Sequence, residues 1–477
     1  MADDGPGTCL SWMLSLPGDD RWGIDTARAV PGVTAYAVRS FDGSALRFSL
    51  PVVVRRPVFT ENALVKQGFE GAVALVIEYI KKQVASVPAL SPLAGRGTRF
   101  PRQCASTIEP YTLVSSPAAL ASDLWHADNR NFADSCGFHL LLWGAVPCPS
   151  VFCNDDISRI TETVARLCDA VSASVFSLPA RVLRFAWINA LDQQKLREDL
   201  PSLGLVSFIG DGAKPARHCT QYRCFFRTAG PKTGVSVPFV CPRELEPVEV
   251  ELAASNEIVT GLGIKQREVF AVAGSNAQGK TTFLEGIISG MDDHAAGDGR
   301  ERIVTVHGLR SAEAMNCELA GVDVSMFFSA LPPGVDGTVK AAFGTGSGSM
   351  TMAHQVQRAI VQGAPLLVID EDRAAPNLLV KSCLQAGEIT PLSEILARDR
   401  EKMGETALVF AACAMDTLIA QADRILLLDQ HAAFAIDRMV FRQRLAESLE
   451  KIAEEIREQE CSEVKKETNV AGAGITR

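Results

Sequence analysis

Apolar positions along this chain follow two rhythms. Beyond about residue 247, short apolar runs at 248–252, 257–259, 269–273, 303–306, 365–369, 406–411 and 424–428 alternate with helical stretches at 282–288 and 352–362. Continuous runs of this kind read as strands buried on both faces, and their alternation with helices predicts an α/β fold with a mostly parallel, doubly covered sheet. The first half is less regular. Runs at 34–39 and 45–54 flank Asp42-Gly43, a hairpin signal, and 137–146 and 205–209 read as strands, the latter closed by Gly210-Asp211-Gly212. Helices are predicted at 68–86, with a Lys-rich end, at 155–174, capped by Asp155 or Asp156, and at 192–200, ending before Pro201; 181–189 fits either strand or helix. This is an α+β pattern.

Proline and glycine mark the joints. The opening 1–32 is broken by Gly, Pro and Asp, and 88–117 is a long Pro/Gly/Ser-rich loop. The proline-rich 231–247 places a domain boundary near 246. The stretch 334–349 is rich in glycine and serine and precedes a helix. The division expected is 1–246 as an N-terminal α+β domain, 247–437 as the α/β domain and 438–477 as a charged helical tail. In that tail Phe441, Leu445, Leu449, Ile452 and Ile456 fall at helical spacing among charged residues, with Glu447 and Lys451 as an i,i+4 pair. The stripe suits a helix packed on its own domain, and a dimer contact is the alternative.

Composition changes this picture little. At 477 residues and 47% hydrophobic, the chain holds no apolar run near the ~18 residues a membrane span needs. The run 10–16 is short and follows Asp3 and Asp4 rather than a basic segment, so an intracellular soluble protein, cytoplasmic by default, is expected. Thirteen cysteines are scattered; the closest pairs, Cys148 with Cys153 and Cys219 with Cys224, are separated by four residues, with no histidine but His218 beside them. Free buried thiols are expected rather than zinc or disulfides. The net charge of −9 argues against a protein that coats nucleic acid through its overall field. The balance is uneven, with 25 Lys+Arg against 23 Asp+Glu in 1–246 and 22 against 33 in the remainder. A polyanion site, RNA included, would therefore use the first half, where Arg96, Arg99 and Arg102 cluster, as do Arg217, His218, Arg223, Arg227 and Lys232.

The chemistry gathers around 268–290, EVFAVAGSNAQGKTTFLEGIISG. An apolar strand turns through Gly274-Ser275-Asn276-Ala277-Gln278-Gly279-Lys280-Thr281 and runs into a helix with Thr282, the setting that gives G-x-x-x-x-G-K-[ST] its meaning. The glycines let successive N–H groups face one point, and the helix N-terminus adds positive potential there. Lys280 can reach β- and γ-phosphates, and the Thr281 hydroxyl can hold Mg²⁺. A chain this long matches the pattern by accident roughly 2% of the time. Downstream, 366–370 delivers Asp370 and Glu371 at a strand's C-terminal end, where ligands bind in such sheets. Asp370 would hold Mg²⁺ through water, and Glu371 would polarise an attacking water. Between these lies Ser347-Gly348-Ser349, a helix start able to meet an anion. One chain has one γ-phosphate to meet, so a second such helix end points to a head-to-tail dimer; a plain glycine linker before a helix is the alternative.

In this order the motifs resemble those of ABC-type ATPases, more narrowly the soluble, non-transporter group called predicted ATPases of the ABC class. The resemblance covers about 178–430. It rests on Leu200-Pro-Ser-Leu-Gly-Leu-Val-Ser-Phe-Ile-Gly-Asp211-Gly, Val259-Thr-Gly-Leu-Gly263-Ile, the phosphate loop and Ala296-Gly-Asp-Gly299-Arg-Glu. Ser347-Gly-Ser, Ile369-Asp370-Glu371-Asp372 with Asn377, and Ala422-Asp423-Arg complete it. It implies a P-loop NTPase domain of ABC ATPase type behind a family-specific N-terminal domain, ATP with Mg²⁺, hydrolysis, and homodimer closure on ATP. Relatives in kinetoplastid mitochondria associate with RNA, which adds RNA as an implied partner of the N-terminal domain and the mitochondrion as an alternative compartment. This chain departs from the pattern in three places. The family's Gly-Gly-Ser-Gly-Asp stretch reads Ala411-Ala-Cys413-Ala-Met-Asp416, without a switch histidine; Arg373-Ala-Ala-Pro376 replaces small polar residues; and no Q-loop glutamine stands out between 303 and 347. A nucleotide-binding scaffold with little hydrolysis is therefore the alternative function, and a nucleotide kinase the second rival.

Overall fold

The computed structural model describes residues 8–39, 43–57, 67–94, 125–149, 151, 153–217, 230–232, 234–384 and 387–472. Arg96, Arg99, Arg102, Asp42, His218, Cys219, Arg223, Cys224 and Arg227 lie outside these residues, as does most of the loop expected at 88–117; its first part forms the short helical turn Pro88–Ala94.

An antiparallel sheet of β1 (Trp22–Ile24), β2 (Tyr36–Arg39), β3 (Ala45–Val54), β4 (Phe132–Asp134) and β5 (Gly137–Pro147) organises the first core. β2 and β3 form the expected hairpin, Tyr36 opposite Ser49. β3 is buried at nearly every position, consistent with its continuous apolar run. Helices Phe69–Gln83 and Asn154–Ser177 supply much of the remaining core, which spans Met13 to Leu183. The second helix is not capped by Asp155 or Asp156 as expected. Its N-cap is Cys153, and Asp156 reaches back to the Cys153 N–H at 3.0 Å, the reciprocal half of a capping box. The ambiguous 181–189 belongs to one uninterrupted helix, Ala180–Asp199.

β6 (Leu205–Gly210) pairs antiparallel with β8 (Ile258–Lys265), which also pairs with β7 (Val248–Glu251); β10 (Ile303–Thr305) covers the far side of β6. The boundary expected near 246 thus falls between strands of one sheet, and hydrophobic packing divides earlier, between Leu183 and Leu196. The reason is the proline-rich segment, which is not a spacer. It returns alongside 213–217, with the Phe239 N–H on the Ala213 carbonyl at 2.7 Å and the Lys232 N–H on that of Ala216 at 3.2 Å.

The principal sheet has six strands: β11 (Arg310–Ala312), β15 (Leu366–Asp370), β16 (Ala407–Ala412), β9 (Val269–Ala273), β17 (Arg424–Asp429) and β18 (Ala432–Ile436), in that spatial order. All neighbours are parallel except the β17–β18 edge. Val269, Ala271 and Ala273 feed one hydrophobic cluster while Phe270 and Val272 feed another, so both faces are covered, as the continuous runs predict. The glycine- and serine-rich 334–349 is no linker. It holds β13 (Asp336–Thr338) and β14 (Ala341–Gly346), which pair with each other, and β14 pairs with β12 (Cys317–Val322). Gly337 and Gly344, both at φ 98°, supply backbone conformations that side chains disfavour, and the Ala341 carbonyl lies 2.1 Å from where a Cβ on Gly337 would sit.

The tail is the helix Arg438–Gly472. Packing on its own domain ends early: Phe441 touches the second core, but Leu449, Ile452 and Ile456 are about half exposed. Lys451 pairs with Glu455 at 3.9 Å, not with Glu447, which instead accepts from Gln443. Among the described cysteines only Cys168 and Cys241 are buried; Cys136, Cys153, Cys317, Cys383 and Cys413 are exposed, against the expectation of buried thiols. Burial pushes the Cys241 thiol up to about 11. Among the described residues no single helix is long and apolar enough to cross a membrane.

A buried polar network ties the helix Ala180–Asp199 to the loop after 290. Arg197 donates to Asp293 at 2.7 Å and to the carbonyls of Gly290, Asp292 and Thr305 at 3.2 Å. Gln193 brackets His294, whose Nδ1 lies 3.2 Å from Asp298. Burial raises the Asp298 carboxyl, but hydrogen bonds from His294 and Arg300 outweigh it and hold it at about 2. A depressed carboxylate contributes stability that is present above its unfolded value, about 3.9, and is lost as pH falls through about 2. Replacing Arg197 by Ala leaves the buried Asp293 carboxylate its hydrogen bond from Gln194 but no cation, and a loss of about 3–5 kcal/mol is expected in urea denaturation at pH 7. A change below about 1 kcal/mol would show that the network is not what joins the helix to the loop.

Candidate functional site

The site grows from the C-terminal edge of the principal sheet. β9 delivers Gly274 at its end, where φ is 149° and an added Cβ would stand 2.4 Å from the Leu428 carbonyl of β17. Only glycine lets the loop leave the sheet there. Ser275, Asn276 and Ala277 form an exposed crest with Ala277 at φ 62°, and Gly279 at φ 101° starts the helix Lys280–Ser289. Lys280 is buried, and its Nζ donates to the carbonyls of Gly274 at 2.8 Å and Ser275 at 2.9 Å. An ammonium has three donors, so one remains for an anion in the cradle.

Register places the carboxylates on the same edge. Asp370 is opposite Ala411 of β16, and Ala411 is opposite Val272 of β9. Two strand spacings, about 10 Å, separate the ends of β9 and β15. Glu371 opens a helical turn just beyond, and its Oε2 accepts from the backbone N–H of Cys413, the first residue after β16. Asp370 accepts a long 3.4 Å contact from the Asp372 N–H. The oxygen donors of Thr281 and Asp370 are hard ligands that suit Mg²⁺, and the left-handed loop over a helix N-terminus suits a polyphosphate. The departures also find places. β11, parallel to β15, delivers Glu313 rather than a glutamine to this edge, and Arg373 bridges Glu313 at 3.0 Å and Glu285 at 3.8 Å.

A cavity of about 540 Å³ is lined by Asn276 to Phe283 of the loop and its helix, by Asp372, Leu428, His431 and Ala433, and by Pro215, Ala216, Lys232, Val235, Val237 and Phe239. Ser347, Gly348 and Ser349 are not among its lining residues. They stand at the start of the helix Gly348–Val361, where Ser347 is exposed and Ser349 donates to Asn377 at 2.7 Å. The structure thus sets the 370–371 carboxylates on the same sheet edge as 274–282, two strands away, while of this acidic stretch Asp372 alone lines the cavity, and Asp370, Glu371 and the serine-glycine helix start do not.

Sequence reasoning placed three contributors nowhere near the phosphate loop. Lys232, counted there only in a basic cluster of the first half, donates from Nζ to the Thr282 hydroxyl at 2.8 Å. His431 forms, with Gln430, the two-residue turn between β17 and β18, both at positive φ (65° and 48°), and its Nδ1 lies 3.1 Å from the Gln278 carbonyl. The short polar break Asp429-Gln430-His431 between the last apolar runs was the available signal for that turn. Glu313 is the third, visible only once β11 is known to flank β15.

The family model described as ABC_ATPase, P-loop domain, matches residues 180–469. The uncharacterized protein MJ1628 of Methanocaldococcus jannaschii is 40% identical over 412 residues, covering 86% of this chain and 89% of its own length. Among solved structures, a dimeric post-hydrolysis state of the ATP-binding cassette MJ0796 bound to ADP and Pi is 14% identical and covers 40% of this chain and 96% of its own, with a TM-score of 0.26. A nucleotide-free ATP-binding cassette from an ABC transporter is 12% identical and covers 48% of this chain and 90% of its own, with a TM-score of 0.28. Likenesses this loose carry no weight on function.

Replacing Gly274 by Ala drives a methyl group into the Leu428 carbonyl. A loss of about 1–3 kcal/mol in thermal unfolding is expected. Unaltered melting would show that the strand end yields freely.

Proposed function

Because the chain belongs to the ABC_ATPase family of P-loop proteins, we propose that it binds ATP with Mg²⁺, hydrolyses it, and closes as a head-to-tail homodimer around the nucleotides. The observation that carries this reading is the register that sets Asp370 and Glu371 two strands from the phosphate loop on one sheet edge. Backbone N–H groups of 274–279 and the helix N-terminus cradle the phosphates, Lys280 meets the β/γ side, and Thr281 with Asp370 holds the ion. Mg²⁺ supplies charge neutralisation on the phosphate oxygens. Glu371 orients the attacking water and takes its proton as the γ-phosphoryl group departs from ADP. The exposed Ser347, with Gly348 and Ser349, begins a helix and would there meet the γ-phosphate held by a second copy. Loss of that phosphate then relaxes the pair. The half-exposed Leu449, Ile452 and Ile456 offer a further dimer contact.

The second reading, a nucleotide-dependent scaffold that turns over little, is favoured by Arg373, whose charge sits between Glu313 and Glu285 beside the catalytic edge. Single-turnover hydrolysis separates the two: cleavage within minutes supports the ATPase, and bound ATP intact over hours supports the scaffold. In the ATPase, Glu371→Gln retains ATP and slows turnover at least about tenfold; equal turnover removes Glu371 from the reaction. Lys280→Ala abolishes nucleotide binding in calorimetry, and unchanged affinity defeats the phosphate-loop assignment.

The uneven charge distribution supports RNA as the partner of the N-terminal part. Filter binding of labelled RNA should then saturate, weaken steeply with salt and respond to ATP. Retention that is flat with salt and indifferent to ATP counts against RNA.

A further inference from the structure

Part of the cavity lining comes from a segment that no phosphate-binding motif includes. Its two described pieces are 211–217, which follows β6, and 230–239 without residue 233; they pair through the Lys232 N–H on the Ala216 carbonyl and the Phe239 N–H on the Ala213 carbonyl. Their pairing is fixed at the base: the Gly212 N–H donates to the Phe239 carbonyl at 2.8 Å, and Asp211 accepts the Cys241 N–H at 2.7 Å. Phe239 also packs on Phe283 of the phosphate-loop helix, ring centres 5.5 Å apart. The strip is therefore held against the helix rather than draped over it.

Two chemistries face the loop from this strip. Val235 and Val237, with Leu428 and Ala433, give the cavity an apolar share of its lining. Lys232 adds a cation, with Nζ on the Thr282 hydroxyl at 2.8 Å. A lysine ammonium keeps two further donors after this bond. Lys280 already serves the far side of the cradle, toward β- and γ-phosphates. A nucleotide lying with its base on the apolar lining and its chain of phosphates in the loop would pass Lys232 at the phosphate nearest the nucleoside.

Resting on the nucleotide-binding reading, we propose that Lys232 is a second phosphate-binding cation, contacting the α-phosphate of a nucleoside di- or triphosphate. The geometry makes Lys232, with 213–217 and 234–239, part of the nucleotide site. Its α-phosphate contact exists with ADP as with ATP, so the strip grips both and does not sense hydrolysis.

Calorimetric titration of the full chain with ADP and with ATP tests this. Lys232→Ala should weaken both by about tenfold or more, and to similar extents, while Lys232→Arg, which keeps charge and donors, stays within about threefold of the parent. Melting of both variants without nucleotide reports whether they remain folded. Parent-like affinity in Lys232→Ala overturns the inference, as does an equal loss in Lys232→Arg with melting intact, since then shape rather than charge is at stake. A loss for ATP alone places the lysine on the γ-phosphate and overturns the α-phosphate assignment. If the parent chain itself binds neither nucleotide, the nucleotide-binding reading fails along with this one.

Discussion

Strand β9 has no slack at either end, and the site depends on that. At its start, the Val269 N–H donates to Asp423 at 2.9 Å, and Arg424 forks onto Glu268 at 2.6 and 2.8 Å. Arg400 also donates to Asp423 at 2.8 Å. At its finish, Gly274 slides under the Leu428 carbonyl with no room for a methyl group. Between these anchors, successive side chains enter two different hydrophobic clusters. A buried ion pair such as Glu268 with Arg424 is weak evidence for stability, because desolvation consumes most of the attraction. Its value here is positional: it fixes the level at which the strand ends, and so where the loop begins.

The same logic extends outward through the helix Ala180–Asp199. Leu183, near its start, belongs to the first core, and Leu196, near its end, to the cluster under β9. Arg197 closes on Gly290, the C-terminal cap of the phosphate-loop helix. One continuous helix thus packs on the helix Phe69–Gln83 of the first core and reaches the far end of the helix whose near end makes the anion cradle. A rigid element shared by two cores is a physical route by which a partner on the N-terminal part and an anion in the loop can bias each other.

Much of the principal sheet was legible because each strand there is a local event, a short apolar run with both faces buried. The phosphate loop, Asp370 and Glu371 were legible for a related reason: their chemistry is written in adjacent residues. What escaped depends on partners far away in sequence. Gly337 and Gly344 looked like linker residues, whereas they serve a hairpin whose backbone needs positive φ. Asp156 looked like a cap, but the helix begins earlier, so it closes a capping box from the third position. Lys232 and Glu313 had no motif at all; their positions follow from a proline-rich strip that turns back and from a strand order that jumps from β11 to β15.

The divergent 411–416 is where sequence and geometry part most clearly. The resemblance leads one to seek a small polar or histidine side chain there, and the chain offers Cys413 instead. Yet the contact that Glu371 receives comes from the Cys413 backbone N–H. Every residue except proline carries that donor, so side-chain divergence leaves it intact. A carboxylate aimed by a backbone group at a fixed strand end keeps its orientation whatever the loop's composition. In the hydrolysis proposed above, a polar side chain at this place would add a separate contact to the γ-phosphate and so help align the attacking water and the departing group. On that reading, divergence in this loop bears on the rate of turnover more than on whether the carboxylate is in place.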